Sequence, residues 1–265
     1  MILSIITINL NNVIGLRKTM ESLVGQTFCD YEWIVIDGGS TDGSKELLDT
    51  YRKRITHLAS EPDSGIYEAM NKGIALAQGE YLLFMNSGDR FANNSVLEYF
   101  VSHHDHADYI VGCSVQEGKE PSKKALNRSL SLEEEVFFLC TGAYPHQATF
   151  IRRTVFEKTG LYREDKRIAS DWYQTINALF MRNATVSHLP VLVSICEKDG
   201  ISSRMSRELG QERRELIHEN PYFAVLFDFY TSNLEIVAAL KNHRFVFFLF
   251  RIYFFLYRKL KPSRP

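Results

Sequence analysis

Glu32-Trp33-Ile34-Val35-Ile36-Asp37 runs without a break into Gly38-Gly39-Ser40-Thr41-Asp42-Gly43-Ser44. The first segment reads as a strand that ends on a carboxylate. The second is built of turn residues, and a polar helix is expected after it over Lys45–Arg54. Working outward, Ile2–Ile8, Ile55–Ala59 and Tyr81–Asn86 read as further strands. Between them, Leu16, Met20, Leu23 and Val24 give one apolar face of a helix, and Ile66–Ala77 reads as another helix. The order β-α-β-α-β-α-β predicts an α/β layer with a mainly parallel sheet. Ligands of such sheets collect at the carboxyl ends of the strands, here near Asn9, Asp37, Glu61–Gly65 and Asn86–Asp89.

Beyond Asp108–Cys113 the pattern is less regular. A polar stretch runs to Ser131, with Gln116–Arg128 as the expected mobile loop. A helix at Leu132–Leu139, a short strand at Ala148–Arg152 and a helix from Ser170 to about Arg182 follow, and everything after Ser203 reads as helical.

The 265 residues suffice for one sizeable domain or two small ones. At 45% hydrophobic and 24% charged they can bury a core, which excludes wholesale disorder and a collagen-like repeat. Cys29, Cys113, Cys140 and Cys196 lie far apart with no C-x-x-C pair, so no thiolate cluster for zinc is expected. With no secretory leader read ahead of the first strand, this cysteine usage fits a reducing cytosol. The net charge of -1 conceals an asymmetry: Lys241–Pro265 holds seven Lys or Arg and no acid, whereas residues 1–240 carry 24 bases against 32 acids. Phosphate would be repelled by that acidic body, which argues against nucleic acid as a partner.

Two strand ends carry the chemistry. After Asp37, glycines allow close backbone approach to a ligand, and the carboxylate can accept hydrogen bonds from a ribose or a base edge. A polar turn with a Ser or Asp helix cap explains the same residues, and the spacing is not G-x-G-x-x-G, so no dinucleotide fingerprint is present. After the fourth strand, Asn86-Ser87-Gly88-Asp89 offers an amide oxygen and a carboxylate to a hard divalent cation, which would neutralise a diphosphate. An ordinary turn explains that segment equally well.

Read together, the segments are more specific. Trp33–Ser44, Ser60–Ile74, Gly79–Asp89, Pro145–Arg152, Ala169–Tyr173 and Asp199–Ser203 resemble, in order, the motifs of the inverting family 2 glycosyltransferases, over about residues 1–205. The nearest likeness is to bacterial enzymes of capsule, O-antigen and exopolysaccharide synthesis. The resemblance implies a GT-A fold, an α/β mixed sheet flanked by helices, over 1–205, with a helical extension over 206–265. It implies a nucleotide-diphospho-sugar donor, usually a UDP-sugar, and a divalent cation, Mn²⁺ or Mg²⁺. Asp37 falls on the carboxylate that contacts uracil or ribose, and Thr7, Asn9 and Asp63 would line the same pocket. The family's Asp-x-Asp metal motif is reduced: Asn86 stands at its first carboxylate, Gly88 at its second, and only the trailing Asp89 is acidic. Asp89 would bind the metal with Asn86 and diphosphate oxygens. His146 lies where donor and acceptor pockets meet, although a lone His is more often structural. Gly200 and Ser202 resemble a loop that closes over the diphosphate; an ordinary glycine turn is the alternative.

Asp171 falls on the family's catalytic base. Inversion by direct displacement needs one carboxylate to take the acceptor's proton, and no covalent nucleophile. Ser170-Asp171 also opens a helix, where an acid caps free N–H groups and opposes the dipole by about 0.5–2 kcal/mol. The two roles are compatible, since a first-turn carboxylate is held in a fixed direction.

The tail needs its own reading. Arg244–Arg258 holds six Phe and two Tyr in fifteen residues. As a helix it is about 22 Å long, short of the roughly 20 apolar residues that span a bilayer. Arg244, Arg251 and Arg258 recur every seven residues and form one cationic stripe, so a helix over about 241–260 suits an anionic membrane surface. Asp228 and Glu235 argue against a transmembrane hairpin with Phe223–Leu240, and a helix buried in a homodimer interface is the other alternative. The combined expectation is a UDP-sugar transferase, peripheral on the cytoplasmic face of the plasma membrane, acting on a lipid-linked glycan acceptor. The rivals are a degenerate nucleotide-sugar-binding scaffold and a sugar nucleotidyltransferase. Against the latter, Asn9-Leu10-Asn11-Asn12 lacks a Gly-rich, basic triphosphate signature.

Overall fold

The structure is a computed structural model that describes residues 1–126, 130, 132–197, 205–221, 223, 224 and 227. The chain divides into two units, one of Met1–Ser129 with Ala143–Arg214, the other of Leu130–Gly142 with the described residues from Glu215 onward. In the first unit, β1 (Leu3–Asn9), β2 (Tyr31–Asp37), β3 (His57–Ser60) and β4 (Tyr81–Phe84) are mutually parallel, as the sequence predicts. Helices α1 (Val13–Val24), α2 (Ser44–Thr50) and α3 (Ile66–Leu76) supply the crossovers. Asn12 starts α1, its side chain accepting from the Gly15 N–H, and Leu16, Met20 and Leu23 form the buried stripe.

Register carries this half of the sheet into the site. Asn9 pairs with Asp37, and Asp37 with Ser60, so three polar side chains lie side by side where the apolar strands end. Beneath them Leu3, Ile5, Trp33, Val35 and Leu83 are fully buried. Glu32, at the opposite end of β2, is buried too; Ser4 and the N–H groups of Gln78 and Gly79 donate to its carboxylate and so fix the turn into β4.

The second half of the sheet is mixed. The elements that follow are β5 (Arg90–Phe91), α4 (Val96–His103), β6 (Tyr109–Gln116), α5 (Lys123–Leu126), β7 (Thr149–Arg152), α7 (Thr154–Thr159), α8 (Ser170–Ile176), β8 (Val186–Cys196) and α9 (Ser206–His218). The eight strands run β3-β2-β1-β4-β7-β6-β8-β5. Here β7 is antiparallel to β4 and β6, β8 is parallel to β6, and β5 is antiparallel to β8. A π-helical turn, Asn177–Met181, carries α8 to about Arg182. In the second unit α6 (Leu132–Thr141) lies where a helix is expected.

Several elements differ from expectation. The eleven-residue β8 contains Pro190, which reads as a strand breaker; its register against β6 jumps from His188 to Leu192 while β6 advances from Val111 to Cys113, so the proline sits in a bulge. Gln116 belongs to β6, and α5 occupies part of the stretch expected as a loop. Gly200 and Ser202, and the tail with Arg244, Arg251 and Arg258, lie outside the described residues. Among the described residues no helix is long and apolar enough to cross a membrane.

Candidate active site

The strand ends form one polar rim. Asp37 is at its centre, fully buried, and its oxygens are already engaged. Oδ1 accepts from Asn9 Nδ2 (2.8 Å) and Ser40 Oγ (2.6 Å); Oδ2 accepts from Ser40 N (3.0 Å) and Ser60 Oγ (2.7 Å). Burial alone would raise this carboxyl's pKa, but the bonds from Ser40, Ser60 and Asn9 outweigh it and hold it low. Asp37 therefore organises the rim. Ser40 Oγ also accepts from the Asn11 N–H at 2.8 Å, and Asp42 accepts from the Val13 N–H at 2.8 Å, so the loops after β1 and β2 are laced together.

The carboxylate left available on this side is Asp63. Its Oδ1 accepts from the Gly65 N–H at 3.1 Å, while Oδ2 lies only 2.6 Å from where a Cβ on Gly38 would stand. Glycine at 38 is what lets that oxygen approach the rim. Desolvation chiefly raises the Asp63 pKa. Thr7 differs from expectation: its side chain is fully buried and accepts from the Trp33 indole at 3.1 Å, one layer beneath Asn9 on the same face of β1. It contributes no side chain to the site's surface.

The β4 turn forms the second pole. Gly88 has φ +103°, a value that favours glycine; its N–H donates to Thr19 Oγ1, and that hydroxyl donates to the Asp89 carbonyl at 2.6 Å. The turn is thereby pinned on α1. His146, in a short 3-10 turn before β7, brings Nε2 to 3.2 Å from Asn86 Nδ2 and 3.7 Å from Asp89 Oδ2. Burial lowers its imidazole pKa, yet Asp89 and, farther off, Asp171 outweigh that, and the net direction is up. His146 therefore feels the Asp89 carboxylate most and the Asp171 carboxylate less.

Asp171 lies in the first turn of α8. Tyr67 of α3 donates its hydroxyl to Oδ1 at 2.9 Å and accepts from the Ser170 N–H at 3.0 Å. No described residue donates to Oδ2. Tyr67 stands inside a stretch already singled out, but its partner is 104 residues away and no local pattern signals the contact. The phenol's pKa is driven far up by burial and by Asp171, so it stays a donor.

Among the described residues no group of three or more His, Cys, Asp or Glu side chains is placed to hold a metal ion. At the β4 turn donors to a cation include the Asp89 carboxylate and Asn86 Oδ1, which is buried without a partner, and Glu197 Oε2 stands 3.1 Å from where a Cβ on Gly88 would lie. An orphaned amide oxygen near a carboxylate suits a hard cation, so the residues fit one as a partial site that a diphosphate would complete.

Comparison with known proteins agrees with this geometry. The family model described as "Glycosyl transferase family 2" matches residues 4–177. An uncharacterized glycosyltransferase of Mycobacterium tuberculosis is 33% identical over 221 residues, covering 77% of this chain and 78% of the relative. Among solved structures, S. aureus TarS 1-349 in complex with UDP-GlcNAc superposes with a TM-score of 0.63 at 20% identity, covering 76% of this chain; the chain spans 59% of that protein. A mannosyltransferase from Pyrobaculum calidifontis, in complex with GDP-Man and Mn²⁺, gives a TM-score of 0.63 at 15% identity over 89% of this chain and 75% of that one. These two likenesses establish a GT-A sheet.

Proposed function

This chain belongs to glycosyl transferase family 2 and is a glycosyltransferase of GT-A fold; from that premise we propose that it transfers a hexose or N-acetylhexosamine, with inversion, from a UDP-sugar to a lipid-linked glycan in bacterial surface polysaccharide synthesis. One observation carries the proposal: His146 stands 3.7 Å from Asp89 and within the field of Asp171, whose Oδ2 no described residue engages. In this reading the base and the diphosphate pole would lie on either side of the anomeric carbon.

In this reading Asp63 and the rim built on Asp37 receive the uridine, and the β4 turn receives the diphosphate. The acceptor oxygen attacks the anomeric carbon as its proton passes to Asp171 Oδ2. The bond from that carbon to the β-phosphate oxygen breaks, and UDP leaves. His146, beside Asp89, would line the diphosphate end of the donor. Asp89 and Asn86 would hold Mn²⁺ or Mg²⁺, which when bound neutralises the diphosphate.

A panel of UDP-glucose, UDP-galactose, UDP-GlcNAc, UDP-GalNAc and GDP-mannose, assayed for nucleotide release with Mn²⁺, Mg²⁺ or chelator, tests this. UDP release from at least one UDP-sugar is expected, falling tenfold or more in chelator. Release from GDP-mannose alone would exclude the uridine reading, and equal rates in chelator would exclude the metal.

The cationic aromatic tail supports a location at the cytoplasmic face of the membrane, close to a lipid-linked acceptor. A chain truncated before Lys241 is expected to lose co-sedimentation with vesicles containing phosphatidylglycerol while keeping donor hydrolysis. Equal sedimentation of both chains would remove that role from the tail.

A further inference from the structure

The segment bearing Asp171 is held from a second side by a residue outside every motif discussed above. Glu212 of α9 reaches back to the loop before α8. Its Oε1 accepts from the Arg167 N–H at 2.7 Å, and its Oε2 accepts from the N–H groups of Ile168 and Ala169, each at 3.0 Å. Three consecutive backbone donors thus converge on one carboxylate immediately ahead of Ser170 and Asp171. Such charge-assisted bonds are the strong ones. The next residue, Arg213, lays its guanidinium over the Trp172 ring at 4.6 Å, on the other side of Asp171 in sequence. Burial lowers the Arg213 pKa, while attraction to Asp171 and Tyr67 opposes that.

We propose that Glu212 is a positioning residue for sugar transfer: it fixes the loop 167–169, and through it the direction in which Asp171 presents its Oδ2. The physical case rests on the unequal support of the two ends of this short segment. Tyr67 holds only Oδ1 and the Ser170 N–H. The direction of the Asp171 Cα–Cβ bond is set by the backbone that leads into α8, and among the described residues it is Glu212 that receives the N–H groups of 167–169. Misplacing a base by about 1 Å can cost on the order of 10²-fold in rate. The inference rests on the reading of Asp171 as the base.

Glu212→Gln keeps size but offers one acceptor oxygen where three donors converge, and it turns an NH2 group toward the rest. In the full chain, with the fastest donor of the panel and water as acceptor, we expect kcat for UDP release to fall 10- to 100-fold. KM for the donor should change less than threefold, and the stabilisation of the melting temperature by UDP should persist. Glu212→Asp, which keeps the charge but withdraws it by one methylene, should fall less, about 3- to 10-fold, and serves if the Gln variant does not fold. Unchanged kcat in both variants, or in whichever folds, overturns the proposal, as does a rise in KM that accounts for the whole loss.

A cycle with Asp171→Asn separates this idea from the one beneath it. If Glu212 acts through Asp171, adding either Glu212 variant to Asp171→Asn changes the residual rate by less than twofold. Losses that multiply mean that Glu212 is a general structural support, and the proposal fails. Full turnover in Asp171→Asn alone instead removes the base reading, whatever Glu212 does.

Discussion

Asp171→Asn should lose about 10³-fold or more in turnover while still binding UDP and melting near the wild-type temperature. The asymmetry follows from the contacts. Tyr67 donates to Oδ1, and an asparagine oxygen in that place accepts the same bond, so α3 and α8 remain joined. The substitution changes Oδ2, to which no described residue donates, into an NH2 group that cannot take a proton. General-base assistance typically contributes 10²–10⁴-fold. In the proposed reading the donor's nucleotide would lie at the other strand ends, near Asp63 and the loop after β2, so its affinity should move by less than threefold. Single-turnover release of UDP, measured beside a UDP titration by calorimetry, checks both halves. Rates within tenfold of wild type would remove Asp171 from the proton transfer. Lost UDP binding would instead make it part of the donor pocket.

The parallel half of this fold was readable because its strands are continuous apolar runs ending on polar residues. Ile2–Ile8 and Glu32–Asp37 need both faces covered, and helices must cover them. The mixed half was not. The bulge around Pro190 disguises β8, and the two-residue β5 is too short to carry a period. Site residues that belong to a motif were legible by position, yet their roles needed the register. Thr7 and Asn9 look alike as polar residues at the end of β1, but one lies a layer deeper, and only its bond to Trp33 reveals that. Tyr67 bonds to a residue 104 positions away and Glu212 to one 45 positions away, and pairing at such distances leaves no local trace.

Removal of Asp37 should be the most damaging single change at the rim. Four hydrogen bonds from Asn9, Ser40 and Ser60 converge on a carboxylate with no exposed surface. Asp37→Ala leaves those donors facing a cavity. The two serine hydroxyls can turn to new acceptors, but the Ser40 N–H cannot and the Asn9 amide keeps only its bond to Ser40 Oγ at 3.1 Å, and an unsatisfied buried donor costs about 1–3 kcal/mol. A loss of about 2–5 kcal/mol is expected, and at about 2–4 °C per kcal/mol for a chain of this size the melting temperature should fall by roughly 5–15 °C. UDP affinity should fall at least tenfold, because Ser40 also holds the Asn11 N–H and so the loop after β1. The pH dependence identifies the carboxylate as the cause. Its pKa is held below the ordinary value near 4 by these bonds, so its stabilisation is full above that value and is lost as pH falls through the lower folded one. The gap between wild type and Asp37→Ala in denaturant unfolding should therefore stay constant from about pH 5 to 8 and narrow below about pH 4. A gap that is small at neutral pH, with UDP affinity nevertheless abolished, would mean that Asp37 binds the nucleotide directly and contributes little to the loop's stability.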